Sequence, residues 1–315
     1  MVAESGIDWK LVEATPWWQA MAACPQDPKH HGEGDVARHT HLVVAALQAD
    51  PRFADLEEPA RRILRLAALL HDCGKPATTR HEENGRITSN GHARVGASIA
   101  RRLLWERGVD FAEREAVCAL VRWHMRPGYC LESDDPERAV LTIAQSARCD
   151  WLTLLAEADT RGRIAPGTDD ALVRVGLFGE LCKELGVWDA PYAFSNSHSR
   201  FIYFRTPGRD PRYAAYDDLK GTLTLMSGLP GSGKDTYIQQ HLAELHQSGC
   251  VAQGAGNRSK RPTGARGDGG DGAGTGVFAQ ETRLCLERHQ PAPRATSPPT
   301  WPRRRLRLSR QDCLP

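Results

Sequence analysis

The chain has 315 residues, of which 40% are hydrophobic and 25% are charged, with a formal net charge of +2. This length and composition indicate a globular protein of two domains. No apolar run approaches the roughly 18–20 residues that cross a bilayer. The first residues are acidic where a leader is basic and apolar, and the nine cysteines form no C-x-x-C pair. We therefore expect a cytoplasmic protein without membrane contact, disulfide framework or zinc ribbon.

Apolar residues recur at helical spacing from Val36 to about Leu185, and alternating stretches are nearly absent. This pattern predicts a mainly α fold in which five or more helices pack on one another. The predicted helices are 36–48, 59–73, 92–107, 112–125, 137–161 and 170–185. Breakers such as Asp50-Pro51 and Asp135-Pro136 separate them.

A second domain is predicted to begin after a proline-containing linker. Residues 222–227 are typical of a β-strand, a glycine-rich turn follows, and residues 235–246 are typical of a helix. The chain is thus divided into an N-terminal segment (1–29), a helical domain (30–188), a linker (189–220), the start of an α/β domain (221–250) and a tail (251–315).

Ionisable residues lie on the apolar faces of the predicted helices. His71 and Asp72 close the apolar run Ile63–Leu70. The others, each with apolar residues three, four or seven positions away, are His39, His92, His124 and Asp159. An unpaired buried carboxylate costs several kcal/mol, so these groups need partners. A single inward histidine is commonly a hydrogen-bonded core residue, and loop histidines such as His31 are expected to be solvated.

Imidazoles and carboxylates that point inward from separate helices are the ligand set of a metal in a helical bundle. The adjacent pair His71 and Asp72 supplies two ligands, and a bridging carboxylate there serves two metals. Mixed nitrogen and oxygen ligands suit Mn²⁺, Ni²⁺, Co²⁺, Fe²⁺, Mg²⁺ or Zn²⁺, and the sequence does not choose among them. Lys75 either contacts a substrate phosphate or caps the helix C-terminus.

The order His39, His71-Asp72, Asp159 resembles the H…HD…D signature of the HD-domain metal-dependent phosphohydrolases. Residues 34–40, 67–76 and 91–92 are similar to the HD domain of bacterial CCA-adding tRNA nucleotidyltransferases, and the resemblance spans roughly 30–185. It implies that the signature residues bind one metal and that His92 and His124 bind a second. It also implies hydrolysis of a phosphoester in a nucleotide, a 2′,3′-cyclic phosphate or a phosphorylated RNA end, with RNA or tRNA as a partner. The catalytic residues predicted on this basis are His71, Asp72 and Lys75.

Residues 228–236 match G-x-x-x-x-G-K between a predicted strand and a predicted helix. Such a loop wraps phosphates with backbone N–H groups, and its lysine reaches the β- and γ-phosphate oxygens. The predicted nucleotide-binding residues are Gly228, Gly231, Ser232, Gly233, Lys234, Asp235 and Thr236. Asp235 stands where Ser or Thr usually binds Mg²⁺, which is a departure from the motif. The run resembles the phosphate loop of polynucleotide-kinase-like ATPases, which implies ATP as a ligand and a bacterial RNA repair or processing role; a purely structural glycine turn is the alternative.

The tail does not resemble the rest of such a kinase. A kinase needs a further acidic ligand, arginines and a completed parallel sheet after the loop, whereas residues 251–276 are rich in glycine and poor in large aliphatic residues. We therefore expect weak or no ATP binding, and we hypothesise a frameshift between about His246 and Val251. The competing interpretation is a basic disordered arm at 301–310 that binds RNA.

Three functional hypotheses follow. The first is a metal-dependent phosphohydrolase joined to an incomplete P-loop segment. The second is a polynucleotide kinase whose HD domain is accessory, and the third is a non-catalytic RNA-binding HD module. Bound transition metal together with phosphatase activity distinguishes the first hypothesis from the third.

Overall fold

The computed structural model describes residues 2–3, 6–216, 223–241, 251–253 and 283–286. The chain divides into two compact units, residues 1–215 and 216–315. Most of the predicted tail, including 301–310, and the helix residues predicted at 242–246 lie outside the described residues. Within the described part of the chain, no helix has both the length and the apolar character needed to cross a membrane.

The first unit is a helical bundle, which confirms the predicted mainly α fold. Its helices are α1 (Trp9–Glu13), α2 (Pro16–Ala22), α3 (Val36–Ala49), α4 (Pro51–Ala54), α5 (Glu58–Leu70), α6 (Lys75–Thr78), α7 (His92–Glu106), α8 (Phe111–Trp123), α9 (Pro136–Ala144), α10 (Cys149–Arg161), α11 (Thr168–Glu184) and α12 (Ser197–Arg205). Two short antiparallel pairs accompany them: β1 (Val2–Ala3) with β2 (Gly6–Ile7), and β3 (Arg80–His81) with β4 (Ile87–Thr88). A 3₁₀ turn spans Cys130–Glu132.

Aspartates placed just before the helices fix several of their starts. Asp35 accepts a hydrogen bond from the backbone N–H of Arg38 (2.8 Å), and Asp135 does the same for Arg138 (2.9 Å). Each carboxylate satisfies an N–H group that has no partner inside its helix. Because Asp35 begins α3, it fixes where His39 lies on that helix.

The single helix predicted over 137–161 is wrong, because the structure ends α9 at Ala144 and begins α10 at Cys149. The backbone of Arg148 is extended at this break. The intervening turn contains neither glycine nor proline, and its Ser146 hydroxyl accepts a hydrogen bond from the Trp123 indole N–H at 2.9 Å. A tertiary contact thus accompanies a break that helical periodicity does not reveal.

The core of the bundle is built around α5. Every residue from Leu64 to Leu70 is buried, and the helix packs against α3, α8 and α10. Burial of a leucine-sized side chain contributes about 1.5–3 kcal/mol, so this helix is a major source of stability. It ends at Leu70, which places His71 and Asp72 immediately after its last helical residue, still inside the core.

In the second unit, β5 (Leu223–Met226) precedes the glycine-rich turn and α13 (Lys234–His241) follows it. This agrees with the strand and the helix start expected from the sequence. β5 pairs with β7 (Arg283–Leu286), and β7 pairs with β6 (Val251–Gln253). Both pairings are antiparallel, unlike the parallel sheet expected of a complete P-loop kinase.

Candidate metal centre

The inward-facing histidines and aspartates predicted from the sequence lie together at one end of the helical bundle. His39 is in α3, His71 and Asp72 follow α5, His92 begins α7, His124 follows α8 and Asp159 is in the last turn of α10. All six are buried. Most residues of the cluster therefore lie at or next to the end of a helix, and the ends of several helices meet at this place.

Three of the imidazoles are oriented by the same local contact. The Nδ1 atom of His71 lies 2.7 Å from the carbonyl of Ala68, three residues earlier. His92 and His124 make the equivalent contacts, each at 2.8 Å, with the carbonyl three residues before them. A carbonyl only accepts, so Nδ1–H donates and the neutral ring keeps a lone pair on Nε2. That lone pair is directed into the cluster, as metal-ligating histidines require.

His39 is oriented by a carboxylate. Its Nδ1 lies 2.9 Å from Glu33 Oε1, and Glu33 Oε2 accepts a hydrogen bond from the backbone N–H of Ile164 at 2.8 Å. On the other side of the ring, Nε2 lies 3.0 Å from Asp159 Oδ1. Glu33 and His39 have the form of the outer part of a carboxylate–histidine–metal arrangement, in which the outer carboxylate fixes the ring. Asp159 would then be a second ligand of the same ion.

Asp72 is at the centre of the cluster. Its Oδ2 lies 3.3 Å from His71 Nε2 and 3.8 Å from His39 Nε2. Its Oδ1 lies 3.3 Å from His92 Nε2 and 3.7 Å from His124 Nε2. Each oxygen thus faces a different pair of histidines, which gives two ligand groups that share one carboxylate.

The donor set fits divalent metal ions. The Nε2 atoms of His92 and His124 are 3.3 Å apart although both rings use their Nδ1 proton elsewhere. His71 Nε2 and Asp72 Oδ1 are buried and have no hydrogen-bond partner within the described part of the chain. Lone pairs that converge without donors between them repel one another unless a cation lies among them. The histidine nitrogens and carboxylate oxygens of this cluster are atoms that bind divalent metal ions in proteins.

The charges around the centre favour the deprotonated forms of Asp72, Asp159 and His124, whereas hydrogen bonds to Asp159 and Glu33 outweigh burial and raise the pKa of His39. Burial opposes ionisation of Asp72, but the Lys75 ammonium 2.7 Å away and the neighbouring His71 ring hold its pKa well below the usual range. Asp159 has a similarly lowered pKa, since Arg163 and His39 outweigh the cost of burial. Burial and the nearby His71 lower the pKa of His124 to about 3. At neutral pH Asp72, Asp159 and His124 need to lose no proton before they bind a metal.

A close contact between backbones brings α7 to the centre. A Cβ atom on Gly74 would lie 2.2 Å from the carbonyl oxygen of His92 and 2.6 Å from the nitrogen of Gly96. No side chain fits in that space, so glycine at position 74 lets the turn after Asp72 lie directly against the first turns of α7. This contact holds the His92 ring beside Asp72.

A cavity of about 380 Å³ opens onto the centre. Its lining includes Asp72, His92 and Asp159 from the cluster. Three cationic side chains also line it: Lys75, Arg86 and Arg163. Lys75 Nζ donates to Asp72 Oδ2 (2.7 Å) and to Gln26 Oε1 (2.6 Å), so it faces the cavity and does not cap α5. The volume is within the range of small-molecule sites.

Sequence reasoning missed three residues of this site. The expectation that His31 is solvated is wrong, since its side chain is 13% exposed, contacts Glu33 at 2.7 Å and lies edge-on to the His39 ring. Glu33 lies in the loop before α3, where no periodicity marks it. Arg163 follows the end of α10 and binds Asp159 (2.6 Å). The spacing of four residues from Asp159 to Arg163 is the one signal that could have indicated this pair.

The glycine-rich turn of the second unit contains the residues that the sequence predicts to bind nucleotide. Gly231 and Gly233 have positive φ angles of 76° and 81°, which glycine adopts without strain. Lys234 Nζ donates to the carbonyls of Gly228 (2.7 Å) and Leu229 (2.8 Å) and so curls back over the turn. The other predicted residues of this motif lie in the turn or in the first turn of α13: Ser232, Asp235 and Thr236.

Comparison with known proteins identifies part of the first unit. Residues 36–146 match the HD domain family, so the chain contains an HD domain, as the resemblance implied. The matched range includes every residue of the cluster except Asp159.

Curated proteins are similar to part of this chain. The chain is 36% identical over 122 residues to a multifunctional CCA protein of Halorhodospira halophila, covering 39% of this chain and 27% of that protein. It is 52% identical over 62 residues to a CC-adding tRNA nucleotidyltransferase of Thermus thermophilus, covering 19% and 14%. It is 36% identical over 115 residues to a bifunctional uridylyltransferase/uridylyl-removing enzyme of Cereibacter sphaeroides, covering 35% and 11%. The chain thus spans about a quarter or less of the length of these relatives.

Proposed function

We propose that the HD domain is a metal-dependent phosphohydrolase that acts on a phosphoester of a nucleotide or of an RNA end, including a 2′,3′-cyclic phosphate. The observation that carries this proposal is the position of Asp72, whose two oxygens face two different pairs of histidines beside a cavity with cationic side chains. A carboxylate that bridges two metals is a recurrent arrangement in phosphoester hydrolysis.

His39, His71, Asp72 and Asp159 would hold one ion, and Asp72 with His92 and His124 would hold the other. When bound, such ions lower the pKa of a coordinated water and offset the charge of phosphoryl oxygens. The protein contributes orientation. Glu33 and the backbone carbonyls fix the imidazole rings, so the ligands do not reorganise when they bind.

Cationic side chains in the cavity would bind the phosphate. Lys75 forms an ion pair with Asp72, and Arg163 forms one with Asp159, so both cationic groups border the metal centre. Arg86 approaches from the hairpin that β3 and β4 form. Charge-assisted hydrogen bonds to phosphate oxygens position the ester and favour the charge that develops during its hydrolysis.

The relatives support a nucleotide or RNA as substrate. One of the related proteins is named for CCA, one for tRNA and one for uridylyl groups. We carry over to this chain the class of substrate, a nucleotide or RNA phosphoester, and no particular tRNA or protein.

A phosphatase screen tests the proposal. The purified chain is assayed with nucleotides, 2′,3′-cyclic nucleotides and phosphorylated RNA ends, with each divalent metal added in turn. We expect metal-dependent phosphate release that is lost in His71→Ala and Asp72→Asn and retained in Glu184→Gln, an exposed position at the end of α11. A wild-type chain that binds metal and RNA but hydrolyses nothing would instead support the non-catalytic RNA-binding module.

A second candidate function, nucleotide binding, rests on the turn at 228–236. The strand before it, the helix after it and the contacts of Lys234 favour a phosphate loop. The antiparallel pairing of β5 does not supply the sheet that normally supports such a loop. We therefore expect ATP to bind more weakly than micromolar.

Equilibrium dialysis with ATP and Mg²⁺ measures this affinity, with Lys234→Ala as the matched variant. Micromolar binding that is lost in this variant would contradict the expected weak binding and favour the polynucleotide kinase hypothesis.

A further inference from the structure

The cavity at the candidate metal centre continues toward the N-terminal part of α11. A small cavity of about 50 Å³ lies beside His124 and Asp159, and another of about 290 Å³ borders the start of α11. Tyr129 and Arg163 line these two cavities and also the one over the centre. Since the three cavities share wall residues, they adjoin one another. We call the two smaller cavities the α11 groove.

Arg174 is a cation in this groove, and no hydrogen bond or ion pair of its side chain is found among the described residues. It lies in α11, is half-buried and lines both cavities of the groove. Its Nε is buried and has no hydrogen-bond acceptor within the described part of the chain. Arg163 differs, because its guanidinium is bound to Asp159. A partly desolvated guanidinium gains most from an anionic ligand, and a phosphate group matches its fork of donors.

The other groups of the α11 groove suit the remaining parts of a nucleotide. The Tyr129 side chain is 49% exposed and stands where the groove meets the cavity over the centre, so its ring offers a face to a base. Thr168 and Asp170 also line the groove. Their hydroxyl and carboxylate oxygens can accept hydrogen bonds from ribose hydroxyls.

We propose that the α11 groove binds the nucleotide unit next to the reacting phosphate. In this arrangement Arg174 binds the phosphate of that unit, and the Tyr129 ring stacks against its base. The substrate class is then a single-stranded polynucleotide end, and a free mononucleotide leaves the groove empty. This inference rests on the proposed phosphohydrolase function of the neighbouring centre. Arg174 and Tyr129 are specificity-determining residues in it and take no part in holding metal.

Binding without metal tests the groove directly. The full chain in EDTA is titrated against a fluorescently labelled RNA pentamer with a terminal phosphate, with the phosphate at the 3′ end in one series and at the 5′ end in another. We expect Arg174→Ala and Tyr129→Ala each to weaken binding of the preferred pentamer about tenfold. Tyr129→Phe keeps the ring and Arg102→Ala removes an exposed arginine of α7 outside these cavities, so both should stay within about twofold of the wild type.

Thermal melts establish that each variant is folded, and Arg174→Gln replaces Arg174→Ala if the latter does not fold. Binding that is unchanged in both groove variants would overturn the proposal. So would a wild-type chain that binds the pentamer no more tightly than the corresponding mononucleotide.

A kinetic comparison separates this proposal from the function on which it rests. We expect kcat/KM for the phosphorylated pentamer to exceed that for the mononucleotide by about tenfold in the wild type, and Arg174→Ala to remove this difference while leaving mononucleotide hydrolysis within about twofold. Equal hydrolysis of both substrates would overturn the groove and leave the phosphohydrolase function standing. No hydrolysis of either substrate, with groove-dependent binding intact, would overturn the function and leave the groove standing.

Discussion

The chemistry of the candidate centre depends on single atoms of its side chains. Three histidine rings donate a hydrogen bond from Nδ1 to a backbone carbonyl, which leaves Nε2 to face Asp72: those of His71, His92 and His124. His39 is the exception, because a side chain, Glu33, faces its Nδ1.

Glu33→Gln should weaken metal binding without unfolding the chain. Hydrogen bonds from His39 and the backbone N–H of Ile164 outweigh burial and lower the pKa of Glu33 to about 2, so the wild-type group is an anion that fixes the His39 ring. A neutral amide holds that ring less firmly. We expect the affinity for Mn²⁺ to fall about 10- to 100-fold by isothermal titration calorimetry. Glu184→Gln is the control, and equal affinities in the two variants would contradict the role of Glu33.

Substitutions of the ligands should remove metal ions in a defined pattern. His124→Ala should leave one ion per chain, because it disrupts only the group formed with His92. Asp72→Asn should leave none, because both groups use this carboxylate. Metal content after dialysis, measured by elemental analysis, gives the counts. One ion in the wild type and one in His124→Ala would argue against two groups.

At the scale of elements, the centre exists because helix ends meet. The turn after α5 lies against the start of α7 at Gly74, and the ends of α8 and α10 add His124 and Asp159. A second set of contacts holds α4 to α10, where Asp50 accepts from Arg52 and Arg161. The contact at Gly74 is steric and is tested by adding a methyl group, whereas the contacts of Asp50 are electrostatic and are tested by changing the pH.

Gly74→Ala should move α7 away from Asp72. The added methyl group would meet backbone atoms of His92 and Gly96, which cannot rotate aside, so we expect a loss of about 3 kcal/mol in unfolding free energy. The group that contains His92 should lose its ion first. Gly176→Ala in α11 meets no atom within 4 Å and should be neutral or slightly stabilising. Urea unfolding and metal content measure both effects; equal stability of the two variants would refute the close contact.

Asp50 should make the stability of the bundle depend on pH. Its hydrogen bonds to Arg52 lower its pKa in the folded chain, so its charge stabilises the fold above the unfolded pKa of about 3.9 and this contribution is lost as the pH falls through the folded pKa. Asp50→Asn keeps an N-cap side chain and removes the charge. We expect the variant to be less stable than the wild type at pH 7 and the difference to shrink below about pH 4 in urea unfolding with EDTA. A difference that stays constant down to pH 3 would contradict this.

At the scale of the whole molecule, the sequence predicts the helical unit better than its connections. Apolar spacing around His39, His71 and Asp159 places these residues inward, and the structure brings them together. Periodicity carries no information in loops, which is why Glu33 and His31 were not found. The break between α9 and α10 was missed for a related reason, since a contact from Trp123 in another helix marks it.

The position of two metal ions about Asp72 tests the central claim most directly. Crystals of the chain with Mn²⁺, measured at the manganese absorption edge, should show two anomalous peaks about 3.5–4 Å apart. One peak should lie among His39, His71, Asp72 and Asp159, and the other among Asp72, His92 and His124. A Mn²⁺-saturated crystal with no anomalous peak within bonding distance of Asp72 would contradict the account.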